Sequence, residues 1–169
     1  MKKVLSKELL TELKNELKNT SLANGDEIDV RQNKVPGLGR INNERYKISY
    51  NIVMDHYSLA NDKLNDILYK ISGRDPELLI SIHTIESITG SEAYPHFDTN
   101  SGLSLSILLE DGFEGADLFV GGKNANLVNE GDYVSFKGYN TKHYVTPVTS
   151  GSRKVLILFY SHERVSKLL

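Results

Sequence analysis

The chain has no cysteine among its 169 residues. That excludes a disulfide framework, a zinc–thiolate site and a thiol nucleophile, and leaves His, Asp and Glu as metal ligands. Long apolar runs are missing too. The longest are strand-length, such as Val155 to Tyr160, so no membrane span is expected. Charge of one sign is not in excess: the formal net charge is −2 and the pI about 6.2. That balance offers no basic surface for a polyanion, so no nucleic-acid partner is expected. Met1 to Thr20 is too charged to hold the apolar core of a secretory signal. With no internal repeat and no low-complexity tract, the expectation is one soluble, cytoplasmic domain over residues 1–169. Nothing in the sequence specifies an oligomeric state.

What is present divides in two. Helical support is expected over about residues 1–75. Val4 to Lys18 reads as an amphipathic helix, with Leu5, Leu9, Leu13 and Leu17 recurring every four residues and Leu10 widening the stripe. A second helix is expected from an N-cap at Ser58, with Leu59, Ala60, Leu64, Ile67, Leu68 and Ile71 as its stripe and Gly73 as its stop. Between them, Asn24-Gly25 and Pro36-Gly37-Leu38-Gly39 are turn signals, and Tyr46 to Met54 alternates like a strand. The Pro-Gly-x-Gly stretch lacks the Lys-Ser/Thr of a phosphate loop.

From about residue 76 to 162 the texture changes to short β-rich runs broken by Gly, Asn and Asp. The candidate strands are Leu79–Ile88, Tyr94–Asp98, Leu103–Glu110, Ala116–Val120, Ala125–Val128, Tyr133–Lys137, His143–Val148 and Lys154–Ser161. That spacing predicts a mainly β core of double-sheet, jelly-roll type, buttressed by the N-terminal helices.

The chemistry concentrates in two stretches. Tyr94-Pro-His-Phe-Asp98 sets His96 and Asp98 two residues apart, on the same side of an extended strand. His143 joins them only if the chain folds back. Two imidazoles and a carboxylate on one face of an octahedral ion leave three positions open, as in non-haem Fe(II) oxygenases. Arg153 follows across an expected turn at Ser150-Gly151-Ser152, and its planar guanidinium suits bidentate binding of a carboxylate. His83 is expected to be a core or surface histidine, and His56 and His162 to be solvated. Tyr139 and Tyr144 read as wall residues.

The order of these pieces resembles the Fe(II)- and 2-oxoglutarate-dependent dioxygenases, in particular the prolyl 4-hydroxylase-like group. His96-Phe97-Asp98 resembles the His-x-Asp ligand pair. Glu114-Gly115-Ala116-Asp117-Leu118 resembles a Glu-Gly-Gly-Glu-Leu segment, with Ala116 and Asp117 as departures. Glu130-Gly131-Asp132 resembles the turn before the strand that leads to the distal histidine. His143 to Arg153 resembles the distal histidine and basic anchor. The resemblance spans about Leu78 to Ser161 and implies a double-stranded β-helix.

It also implies a site. His96, Asp98 and His143 would hold Fe(II), and Arg153 the distal carboxylate of 2-oxoglutarate. Ser104, Ser106 or Tyr94 would assist that cosubstrate. O2 would be consumed, with ascorbate as an accessory reductant. The implied activity is hydroxylation of an unactivated C–H bond in a peptide or protein, with proline the leading target. A free amino acid or other small molecule is the alternative substrate. A jelly-roll binding module without turnover is the alternative of another class.

Overall fold

The computed structural model describes residues 1–23 and 52–162. The elements, in chain order, are β1 (Lys3–Val4), α1 (Lys7–Asn19), β2 (Ile52–His56), α2 (Asp62–Ser72), a 3-10 turn at Pro76–Leu78, β3 (Leu79–Ile88), β4 (Ala93–His96), β5 (Leu103–Glu110), β6 (Phe113–Gly115), β7 (Leu118–Val120), β8 (Lys123–Asn124), β9 (Asp132–Phe136), β10 (His143–Val145) and β11 (Val148–Tyr160). The Pro36-Gly37 segment and the first half of the expected Tyr46–Met54 strand lie outside the described residues.

The strands form two antiparallel sheets. The larger runs β1-β9-β5-β11-β3-β2, with β6 also on β11, and the smaller runs β4-β10-β7-β8. Side chains alternate across each strand, so the larger sheet has two apolar faces. One carries Leu105, Ile107, Leu156 and Leu158 and packs against Leu13 and Leu17 of α1 and Leu64 and Leu68 of α2. The other carries Ile85, Leu108, Val134 and Val155 and packs against Leu118 and Val120 of the smaller sheet. Burial on both faces explains the unbroken apolar stretches at residues 107–109 of β5 and 155–160 of β11.

Both helices start on a side-chain cap. Ser6 Oγ accepts from Leu9 N–H at 3.1 Å. In α2 the cap is Asn61, which accepts from Lys63 and Leu64 N–H at 3.1 and 3.3 Å. Ser58 was expected there, but its hydroxyl accepts from Ala60 N–H in a tighter turn. Asn61 also donates to Glu16 Oε1 and Thr20 Oγ1, tying the end of α1 to the start of α2.

Three strand expectations need correction. Ala125–Val128 is not a strand; β8 is the short Lys123–Asn124 before it, and Asn126 turns out of extended geometry with φ +57°. The strand expected from Ala116 begins at Leu118, because Ala116 has φ +53°. The Ser150-Gly151-Ser152 turn is absent, since β11 runs unbroken from Val148. There β6 pairs with β11 through Val148–Gly115, Ser150–Glu114 and Gly151–Phe113, which holds Ser-Gly-Ser in the ladder, and the register shifts just before it, between Val148 and Ser150. Gly151 sits at φ +74°, and a Cβ on it would overlap Gly112 O.

Candidate metal centre

Two strands of the smaller sheet bring the imidazoles together. β10 pairs antiparallel with β4, and His143 lies directly opposite His96. Their ring centroids are 4.2 Å apart, with planes inclined at 57°. Each ring is locked by the carbonyl two residues before it: His96 Nδ1 sits 2.6 Å from Tyr94 O and His143 Nδ1 2.9 Å from Thr141 O. A carbonyl only accepts, so both Nδ1 atoms carry a proton, and Nε2 is the atom each ring would offer to a metal.

Asp98 does not continue β4 as expected; the strand ends at His96. Its N–H donates to Gly138 O at 2.9 Å, and its carbonyl accepts from Ser101 N–H at 2.9 Å. This turn, rather than a strand, carries the carboxylate back to the imidazoles. Asp98 Oδ2 is 3.2 Å from His143 Nε2, and Oδ1 is 3.7 Å from His96 Nε2. One ligand atom from each of the three residues fits within a 4.8 Å span, which suits a single ion. Burial alone would raise the Asp98 pKa, but the hydrogen bond and charge of His143, the charge of His96 and the Ser104 hydroxyl together hold it below the usual carboxylate value. The carboxylate is therefore ionised where a metal needs it.

A cavity between the sheets is lined by all three residues and by Arg153. Arg153 is buried, at 5% exposed, and stands opposite Ser87 of β3. Arginine arrives here along the straight run of β11, not across a hairpin. The walls between are largely apolar, including Ile85, Val145, Val155 and Ile157.

The three residues expected to help a cosubstrate separate. Ser106 is buried and lines the cavity. Ser104 lines it too, but its hydroxyl is 2.8 Å from Asp98 Oδ2. Tyr94 points outward at 41% exposed and does not line the cavity; it serves the site through its carbonyl.

His56 was misread and Ser87 missed, while His83 is buried, one of its two expected places. His83 lines the cavity, buried, with Nδ1 2.7 Å from Ser81 Oγ and its ring stacked on His56 at 5.0 Å. His56 was expected in solvent and is buried. Ser87 lines the cavity and drew no attention in the sequence. The missed signal is the alternation Ser81, His83, Ile85, Ser87, which puts polar side chains on one face of an otherwise apolar strand. Tyr139 is a rim residue against His162, and Tyr144 stacks on Phe119, so neither lines the cavity.

No protein-family model matches the sequence, and no curated protein does. Solved structures do match. A prolyl-4-hydroxylase from Pseudomonas putida aligns at TM-score 0.60 and 14% identity, over 96% of this chain and 92% of that one. An oxidoreductase of the 2OG-Fe(II) oxygenase family from Burkholderia pseudomallei aligns at TM-score 0.53 and 14% identity, over 95% and 94%. The viral collagen prolyl hydroxylase vCPH of Paramecium Bursaria Chlorella virus-1 aligns at TM-score 0.54 and 14% identity, over 82% and 90%. The fold is the one these oxygenases share. Among the described residues no helix is long and apolar enough to cross a membrane.

Proposed function

We propose that the protein is an Fe(II)- and 2-oxoglutarate-dependent hydroxylase that acts on an unactivated C–H bond of a peptide or protein. One observation carries the reading. Two imidazoles, each held at Nδ1 by a carbonyl, and one carboxylate converge at a cavity that a buried arginine also lines. Neutral imidazole and carboxylate form the donor set that suits Fe(II).

In this reading His96, Asp98 and His143 hold the metal, and Arg153 grips the distal carboxylate of 2-oxoglutarate in a dry pocket. With O2, bound Fe(II) and 2-oxoglutarate would supply the oxidising chemistry. The protein's own work is positional. The carbonyls of Tyr94 and Thr141 keep both rings aimed at the metal. Asp98 stays charged and offsets part of the cation's charge. Ile85, Val155 and Ile157 keep water from the path between metal and arginine.

The preference for a peptide over a free metabolite is supported by the mouth. His96 has 17% of its side chain exposed, against 8% for His143 and 5% for Asp98. It is flanked by the exposed rings of Tyr94 and Phe97. An extended peptide can lie across such a mouth and present one side chain inward. Prolyl hydroxylases among the structures of like fold favour proline as the target. The test is succinate release from 2-oxoglutarate under Fe(II), ascorbate and O2, with proline-rich peptides and free amino acids compared. A 16-dalton gain on a peptide is expected. Absence of metal-dependent 2-oxoglutarate turnover with every substrate would overturn the reading.

A further inference from the structure

The geometry points to Ser104 as the positioning residue of the metal's carboxylate ligand, rather than a contact to the cosubstrate. This rests on the metal-site reading above and deepens it. Ser104 is 1% exposed, and its Oγ lies 2.8 Å from Asp98 Oδ2 and 2.9 Å from Ser101 Oγ. Its hydroxyl has one proton to give. Ser101 directs its own proton to Leu103 O at 2.8 Å, which leaves Ser101 Oγ free to accept. The Ser104 proton therefore chooses between a neutral hydroxyl and the carboxylate that would hold the metal. Hydrogen bonds to an ionised acceptor are about twice as strong as neutral ones, so the carboxylate takes it.

Asp98 needs this tether because no strand holds it. It follows the last residue of β4 by two positions, in a turn anchored by backbone bonds to Gly138 and Ser101. Those bonds fix its main chain but leave the carboxylate free to rotate. Ser104 sits on β5, the rigid centre of the larger sheet, and stops that rotation from across the cavity. A hydrogen-bonded oxygen is also a poorer metal donor, which leaves Asp98 with one strong donor atom instead of two.

Gly138 makes the contact possible. A Cβ there would overlap Ser104 Oγ and come within 2.9 Å of Asp98 Cβ. Gly138, distant in sequence, therefore closes on the carboxylate and on the nearby Ser104 that holds it.

The experiment titrates full-length protein and Ser104→Ala with Co(II) and follows visible absorbance, alongside thermal melting without metal. Partners of metal ligands typically contribute 10- to 100-fold in affinity. The expected result is a loss of about that size for Ser104→Ala, a changed spectrum at saturating Co(II), and an unchanged metal-free melting temperature. Wild-type affinity and spectrum in Ser104→Ala would overturn the assignment. So would a weakened affinity with a wild-type spectrum and a lowered metal-free melting temperature, which would make Ser104 a packing residue only. Failure of the wild-type protein itself to bind Co(II) would instead overturn the metal-site reading.

Discussion

The two faces of the larger sheet share every strand and almost nothing else. Toward the helices, β5 and β11 present Leu105, Ile107, Leu156 and Leu158, each at most 1% exposed. Toward the smaller sheet the same strands present Ser104, Ser106, Val155, Ile157 and Arg153. The first face buries aliphatic area and supplies stability. The second spends burial on polar groups, which costs free energy unless each finds a partner or a ligand. Stability and chemistry are thus separated by the period-two alternation of the strand, a side chain apart.

Mutations can break that separation. The largest effect is expected at the metal: His143→Ala and Asp98→Ala should abolish Fe(II)-dependent succinate formation, while circular dichroism stays native. Next comes the other face. Leu156→Ala should destabilise by about 2–5 kcal/mol, because truncation leaves a cavity between helix and sheet. Its Co(II) affinity should hold, and a coupled loss would show that the faces are not independent. Arg153→Ala should raise the concentration of 2-oxoglutarate needed by roughly 10- to 100-fold, matching about 1.5–3 kcal/mol for a hydrogen bond to a charged group. Steady-state kinetics at varied 2-oxoglutarate checks this.

Smaller effects follow. Asn61→Ala should cost about 1 kcal/mol by uncapping α2, read from urea midpoints. His56 supplies a pH test away from the metal. Burial lowers its pKa, and the neighbouring charge of Asp55 only partly opposes this. Below its ordinary value of 6.5 the unfolded chain takes up a proton that the fold refuses. The contribution is therefore whole above that pH and is lost as pH falls toward the lower folded value. Urea midpoints at pH 7.5 and 5.5 should drop on acidification, and His56→Phe should flatten the drop.

Some of this architecture was legible in the residues. Leu13 and Leu17, then Leu64 and Leu68, recur at helical spacing, and both stripes are buried as expected. The limits of Leu79–Ile88 and Leu103–Glu110 match the structure because turn residues bound apolar runs there. His96, Asp98, His143 and Arg153 stood out as the types needed for metal and acid, and they share one cavity. The Ser-Gly-Ser stretch misled because small residues signal a turn even where they sit paired inside a strand. Only pairing with β6 separates the two. His56 was misjudged because burial depends on which strand lies alongside, and β2 meets β3 where His56 faces His83.

Local sequence fixed the element types, the helix stripes and the inventory of ligands, since those depend on neighbours a few residues away. The tertiary structure decided which way each side chain of that inventory is spent. It set His143 opposite His96 across paired strands, brought Gly138 against Asp98 and Ser104, and put Arg153 in the same cavity. A hydroxyl or a ring nitrogen has several chemically equal uses, and only the position of distant strands selects one.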